Sequence, residues 1–134
     1  MNVLVLIGRI VVGGYYLYNA LNHLVFAPGP LSEYAAAKGV PAPMLAVIVS
    51  GLLLLIGGLS ILLGVYTRIG VLALVLFFLP VTFWMHDFWA IEDPGQRMMQ
   101  MVQFLKNLAL TGSALMFLAI PEPWPYSVAP RKQM

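Results

Sequence analysis

The chain has 134 residues, of which 61% are hydrophobic and 9% charged, and its net charge is +2. Soluble domains carry roughly 25% charged residues, and nucleic-acid binders need a large cationic excess, so a soluble enzyme, a disordered tail and a nucleic-acid-binding module are excluded. Cysteine is absent, which removes disulfides, thiolate metal sites and thiol relays.

About 20 apolar residues cross a bilayer as a helix, and four runs reach that length. They predict spans over residues 3–26, 44–66, 68–90 and 98–120, and hence a single transmembrane domain over residues 1–134. The fold expected is all-α: an integral membrane four-helix bundle with a short interfacial helix in the first loop. Arg9 interrupts the first run and no basic segment precedes it, so it reads as a span rather than a cleaved leader. Arg9 itself is expected to snorkel to phosphates.

The first connection, residues 27–43, is bounded by prolines. Ser32 can cap a short helix there and Gly39 can stop it, with Leu31, Tyr34 and Ala35 on the membrane surface. Thr67-Arg68 makes a tight turn between the second and third spans. Residues 91–97 read as a polar turn around Pro94-Gly95. Prolines break the C-terminal tail, whose Trp124 and Tyr126 suit the interface belt. The N-terminus, Arg68, Arg131 and Lys132 outweigh Lys38 and Arg97 on the opposite side, so both termini are expected in the cytoplasm.

In the second span Ser50, Gly57 and Gly64 recur every seven residues, with Gly51 and Gly58 beside them. These small residues predict a close helix–helix seam, and Gly112 and Ser113 predict another on the last span. Pro80 is expected to kink the third span.

Polar residues inside a bilayer are costly, so their positions carry the functional signal. The first span carries Tyr15, Tyr16, Asn19, Asn22 and His23. The third ends in Trp84, His86, Asp87, Phe88 and Trp89. The fourth presents Gln96, Gln100, Gln103 and Asn107 as one stripe, with Lys106 at its edge. Alternating helix directions bring all three groups to one half of the bundle, which predicts a polar cavity opening away from the cytoplasm. Lys106 is expected roughly 12 Å along its helix, reaching towards Asp87. That pair reads either as an ion pair between helices or as a site for a head group or a proton, with lipid-facing snorkelling as a third reading. His23 and His86 allow several roles: hydrogen bonding to a neighbour or to a quinone carbonyl, axial ligation of a haem, or a metal site with Asp87.

The chain resembles the DoxX family of small four-helix bacterial membrane proteins. The resemblance lies in Ala-Ala-Lys-Gly-Val-Pro-Ala-Pro at 36–43, Gly57-Gly58, Leu62-Leu63-Gly64 and Tyr66-Thr67-Arg68. It continues in His86-Asp87-Phe88-Trp89 and in Gln103-Phe104-Leu105-Lys106-Asn107-Leu108-Ala109. Asn22-His23 departs from the Gly-x-x-Lys pattern that many members carry there. The resemblance implies a multi-pass protein of the bacterial inner membrane, associated with quinone-linked redox complexes and other membrane subunits, and not catalytic alone. The candidates for ligand binding or proton transfer are therefore His23, His86, Asp87, Lys106, Asn19, Asn22, Gln103, Asn107 and Trp89. Trp84, Phe88 and Trp89 are expected as apolar walls. The expected ligand is a quinone, with haem as an alternative. The rival expectation is an assembly or anchoring subunit whose polar residues only join helices or subunits. A small transporter is disfavoured, because the two halves show no inverted repeat.

Overall fold

A computed structural model describes residues 1–128. The basic residues Arg131 and Lys132, used above for orientation, lie outside the described residues.

The helices are α1 (Asn2–Leu21), α2 (Pro28–Ala37), α3 (Pro43–Leu63), α4 (Thr67–Met85) and α5 (Pro94–Phe117). A π-helical turn, Asn22–Phe26, prolongs α1, and a 3-10 turn, Phe88–Ala90, follows α4. Among the described residues, three segments are long and apolar enough to cross a membrane: Asn2–Phe26, Pro43–Leu63 and Thr67–Ala90. At 24 residues α5 has comparable length, but Gln96, Arg97, Gln100, Gln103, Lys106 and Asn107 dilute its apolar character.

Local chemistry sets the helix ends. Proline occupies the first turn of α2, α3 and α5, where its missing N–H costs nothing. That places the start of α2 at Pro28, ahead of the expected cap at Ser32, whose side chain caps nothing. In α5 the Asp93 carboxylate accepts from the Gln96 amide at 2.8 Å, so Pro94-Gly95 forms the first helical turn rather than a loop. The helix thus starts four residues earlier than expected. Gly64 closes α3 in the left-handed region, at φ 72°, three residues before the expected end. Despite Pro80, α4 runs unbroken from Thr67 to Met85.

The long helices pack in sequence order, α1 on α3, α3 on α4 and α4 on α5, while α1 and α5 make no comparable backbone contact. The glycines of α3 allow the close approach. A Cβ on Gly57 would lie 2.4 Å from the Leu74 side chain, and one on Gly58 would lie 2.9 Å from Leu17. Gly70 of α4 answers them, because a Cβ there would lie 2.2 Å from the Ser60 hydroxyl. Gly112 does not join such a seam, since nothing approaches it; Ser113 bonds back to the Leu110 carbonyl and also meets the Tyr16 hydroxyl of α1. Tyr16, Leu54, Ile61, Leu74 and Phe78 form the middle of the core.

At the end that carries the N-terminus and the α3–α4 turn, the core is sealed by Arg9. Its side chain is 1% exposed, so it does not snorkel. Nε donates to the Ile61 carbonyl at 3.0 Å and Nη2 to Leu62 at 2.8 Å, while Nη1 donates to Pro125. The last carbonyls of a helix lack partners within it, and here Arg9 supplies two of the donors. Val128 N–H supplies another, to Leu63, at 3.1 Å. Cationic charge also suits a helix C-terminus. The guanidinium lies 5.7 Å from the centre of the Trp124 ring. Trp124 is 2% exposed, so it is part of the seal and not of an interface belt. Thr67 donates to Glu122, and the Ser127 hydroxyl to the Gly64 carbonyl, so the chain after α5 is strapped across this end.

Candidate functional site

The opposite end, where α2 sits, is hollow. A cavity of about 690 Å³ lies between α1, α2, α3, α4 and α5, within the range of sites that enclose a small organic head group. Leu54, Phe77, Phe78 and Val47 make apolar walls, and α2 roofs it with Leu31, Tyr34 and Ala35. Most of the polar lining comes from the three expected clusters, Asn19 and His23 from the first, His86 from the second, and Gln100, Gln103, Lys106 and Asn107 from the third, and Ser50 of α3 adds a hydroxyl. Among the described residues, no acidic one lines it.

Three nominated residues are elsewhere. Asn22 does not line the cavity; it opens the π-helical turn, where its carbonyl accepts from Ala27 N–H at 2.9 Å. Asp87 does not meet Lys106. Lys38, at the end of α2, reaches it first, at 2.5 Å. Trp89 packs outside with Phe88, and both rings lie edge-on to Phe104, at 5.7 and 5.3 Å. Of the expected aromatic walls only Trp84 lines the cavity. Nor do His23, His86 and Asp87 converge as a metal set: among the described residues no three His, Cys, Asp or Glu side chains cluster.

The two histidines are held alike. His23 Nδ1 is 2.8 Å from the Asn19 carbonyl, one helical turn back. A carbonyl can only accept, so Nδ1 carries the proton and Nε2 of the neutral ring is an acceptor. His86 Nδ1 is 2.8 Å from Gln100 Oε1, which fixes the same tautomer with the amide oriented as it stands. The His23 ring also lies edge-on to Phe77, at 5.8 Å. The π-helical turn that carries His23 is a backbone irregularity often associated with functional sites.

Lys106 is the thirteenth residue of α5 and therefore about 18 Å from its start, deeper than expected from the sequence. Its Nζ donates to Gln103 Oε1 at 2.5 Å and lies 5.9 Å from the centre of the Tyr15 ring. The side chain is exposed at the edge of the cavity, with no carboxylate beside it.

Residues that the sequence did not nominate complete the site. Tyr34 donates from its hydroxyl to the Met85 carbonyl at 2.8 Å and so pins α2 to the end of α4. The Trp84 indole N–H donates to the Lys38 carbonyl at 2.8 Å. Together with the Lys38–Asp87 ion pair these bonds hold the roof. Gln100 was visible as part of the polar stripe. Tyr34 carried only an amphipathic pattern, in a helix too short to reveal its docking face.

Neither a curated protein nor a solved structure matches the chain significantly. The profile of the DoxX family matches residues 4–87. That stretch runs from the start of α1 to the acidic end of the roof latch and leaves α5 outside it. With most of the chain matched, including three membrane-length segments, the protein belongs to the DoxX family.

Proposed function

We propose that this protein is a membrane subunit of a quinone-linked redox complex, and that its cavity seats the head group of a quinone-type amphiphile. In this reading α5 is a fourth span, and the cavity opens on the non-cytoplasmic half of a bacterial inner membrane. The observation that carries the proposal is the cavity itself. It joins apolar walls to two histidines whose tautomers are fixed, a lysine and four side-chain amides, and among the described residues no acidic group lines it.

The hydrogen-bond inventory reverses one expectation. With Nδ1–H already donated, a neutral His23 cannot also donate to a quinone carbonyl. It accepts instead, from a quinol hydroxyl. Lys106, Gln103 and Asn107 supply donors to the oxygens of the head group. His86 repeats the acceptor arrangement from another helix. The site therefore favours the reduced form, and the protein contributes binding and positioning while a partner subunit supplies electron transfer. A haem is the alternative occupant that also uses Nε2 of the two histidines.

Native mass spectrometry of the protein released gently from its own membrane tests this reading. Added mass equal to one quinone, absent from a His23→Phe variant, is the expected result. A haem absorption band would replace quinone with haem. Protein subunits alone, in both samples, would leave an assembly role and overturn the ligand-binding one.

A further inference from the structure

We propose that the cavity exchanges its occupant sideways with the bilayer, through the seam between α1 and α5, and not with water past α2. This rests on the reading that the cavity holds a head group, and it assigns the ligand class: an amphiphile with an apolar tail, never a freely water-soluble molecule.

Both ends of the cavity and three of its seams carry packing or polar contacts. On the α2 side, the Lys38–Asp87 ion pair at 2.5 Å and the Tyr34–Met85 and Trp84–Lys38 hydrogen bonds at 2.8 Å clamp the roof. On the side of the chain termini, Tyr16 is fully buried, with its ring edge-on to Phe78 at 5.8 Å. Beyond it Trp124 and Phe117 pack with ring centres 5.4 Å apart. The seams between α1 and α3, α3 and α4, and α4 and α5 are packed backbone against backbone.

The seam between α1 and α5 is different. These helices make no comparable backbone contact, although both contribute to the cavity wall. At the level of the cavity the bridge across them is Lys106 Nζ over the Tyr15 ring, at 5.9 Å, and both residues are exposed. A lysine on a flexible stem makes a weak gate over an exposed aromatic ring. When it swings aside, a head group passes between Tyr15 and Lys106 towards His23 and His86, and its tail stays in lipid. No backbone hydrogen bond has to open for this. Entry past α2 requires three polar contacts to break.

The natural absence of cysteine makes the test direct. Asn19→Cys and, separately, Gln103→Cys place one thiol on each wall of the cavity. The full chain in lipid vesicles is treated with an uncharged maleimide that partitions into lipid and with a sulfonated maleimide that does not. Both thiols should react with the uncharged reagent roughly tenfold or more faster, since a charged group enters apolar surroundings at a large cost. Adding Asp87→Asn should raise the rate of the sulfonated reagent. Equal rates with the latch intact, or a failure of the uncharged reagent to react at both sites, would overturn the proposal.

A second arm follows loading. Cross-linking Tyr15→Cys to Lys106→Cys with a bismaleimide should block uptake of a long-tailed benzoquinol, relative to the same variant before cross-linking. Cross-linking Lys38→Cys to Asp87→Cys should leave uptake intact. The opposite pattern would reject the lateral route. If the benzoquinol binds no variant and not the natural chain, the head-group reading fails, and the labelling rates still decide where the cavity opens.

Discussion

The two ends of the helical bundle each place a cation among apolar helices, and they treat it in opposite ways. At the sealed end Arg9 spends its guanidinium on three backbone carbonyls from two distant parts of the chain, under the Trp124 ring. At the hollow end Lys106 holds one side-chain amide and lies over one ring, with room beside it. A cation saturated by backbone acceptors is an element of structure. A cation left with spare donors beside a cavity is available to something else. The histidines follow the same logic, with one nitrogen anchored within the protein and the other left as an acceptor.

Breaking the sealed end should have the largest effect. Arg9→Met leaves the Ile61, Leu62 and Pro125 carbonyls without their donor inside the protein, and orphaned buried groups cost about 1–3 kcal/mol each. The expected outcome is a loss of about 3 kcal/mol or more, or failure to fold, read by thermal unfolding in detergent. Gly57→Ala comes next. The new methyl meets Leu74 at 2.4 Å, and overpacking of this kind costs about 1–3 kcal/mol, read in the same experiment. Lys106→Met should behave in the opposite sense to Arg9→Met. Stability should stay within about 1 kcal/mol, because only an exposed charge is lost. Affinity for a benzoquinol should fall by roughly tenfold, the equivalent of about one charged hydrogen bond. If Lys106→Met unfolds the protein as Arg9→Met does, the contrast between the two ends collapses. Asp87→Asn should have the smallest effect on stability, below about 1 kcal/mol, since both partners of its ion pair are partly exposed.

Hydropathy and proline placement made much of the architecture readable. The membrane-length segments were visible as apolar runs, and the α3 seam was visible in Gly57 and Gly58. The early start of α5 was also present in the sequence, since Asp93-Pro94 is a cap followed by a favoured first-turn residue, but Pro94-Gly95 resembles a turn equally well. Long-range partners were less readable. Arg9 finds its acceptors 52, 53 and 116 residues away, and nothing in its local pattern separates burial from snorkelling. Pairing Lys106 with Asp87 followed from charge alone. The actual partner, Lys38, depends on how α2 docks, which rests on single hydrogen bonds from Tyr34 and Trp84. Asn19 on α1 and Gln100, Gln103, Lys106 and Asn107 on α5 reach the cavity at helical spacing, whereas His23 and His86 reach it from the irregular segments that follow α1 and α4. In those same segments Asn22, Asp87 and Trp89 do not line it, a distinction that helical periodicity does not carry.

The most direct test of the central claim uses Trp84, which lines the cavity, in a Trp89→Phe background that leaves Trp84 and the buried Trp124 as the only indoles. Benzoquinol is titrated into the purified protein while tryptophan emission is followed, alongside the same protein carrying His23→Phe. The expected result is a saturable change in emission that His23→Phe removes or shifts to much higher concentration. Quenching that rises linearly without saturation, and equally in both proteins, would mean that the hollow end binds no such head group.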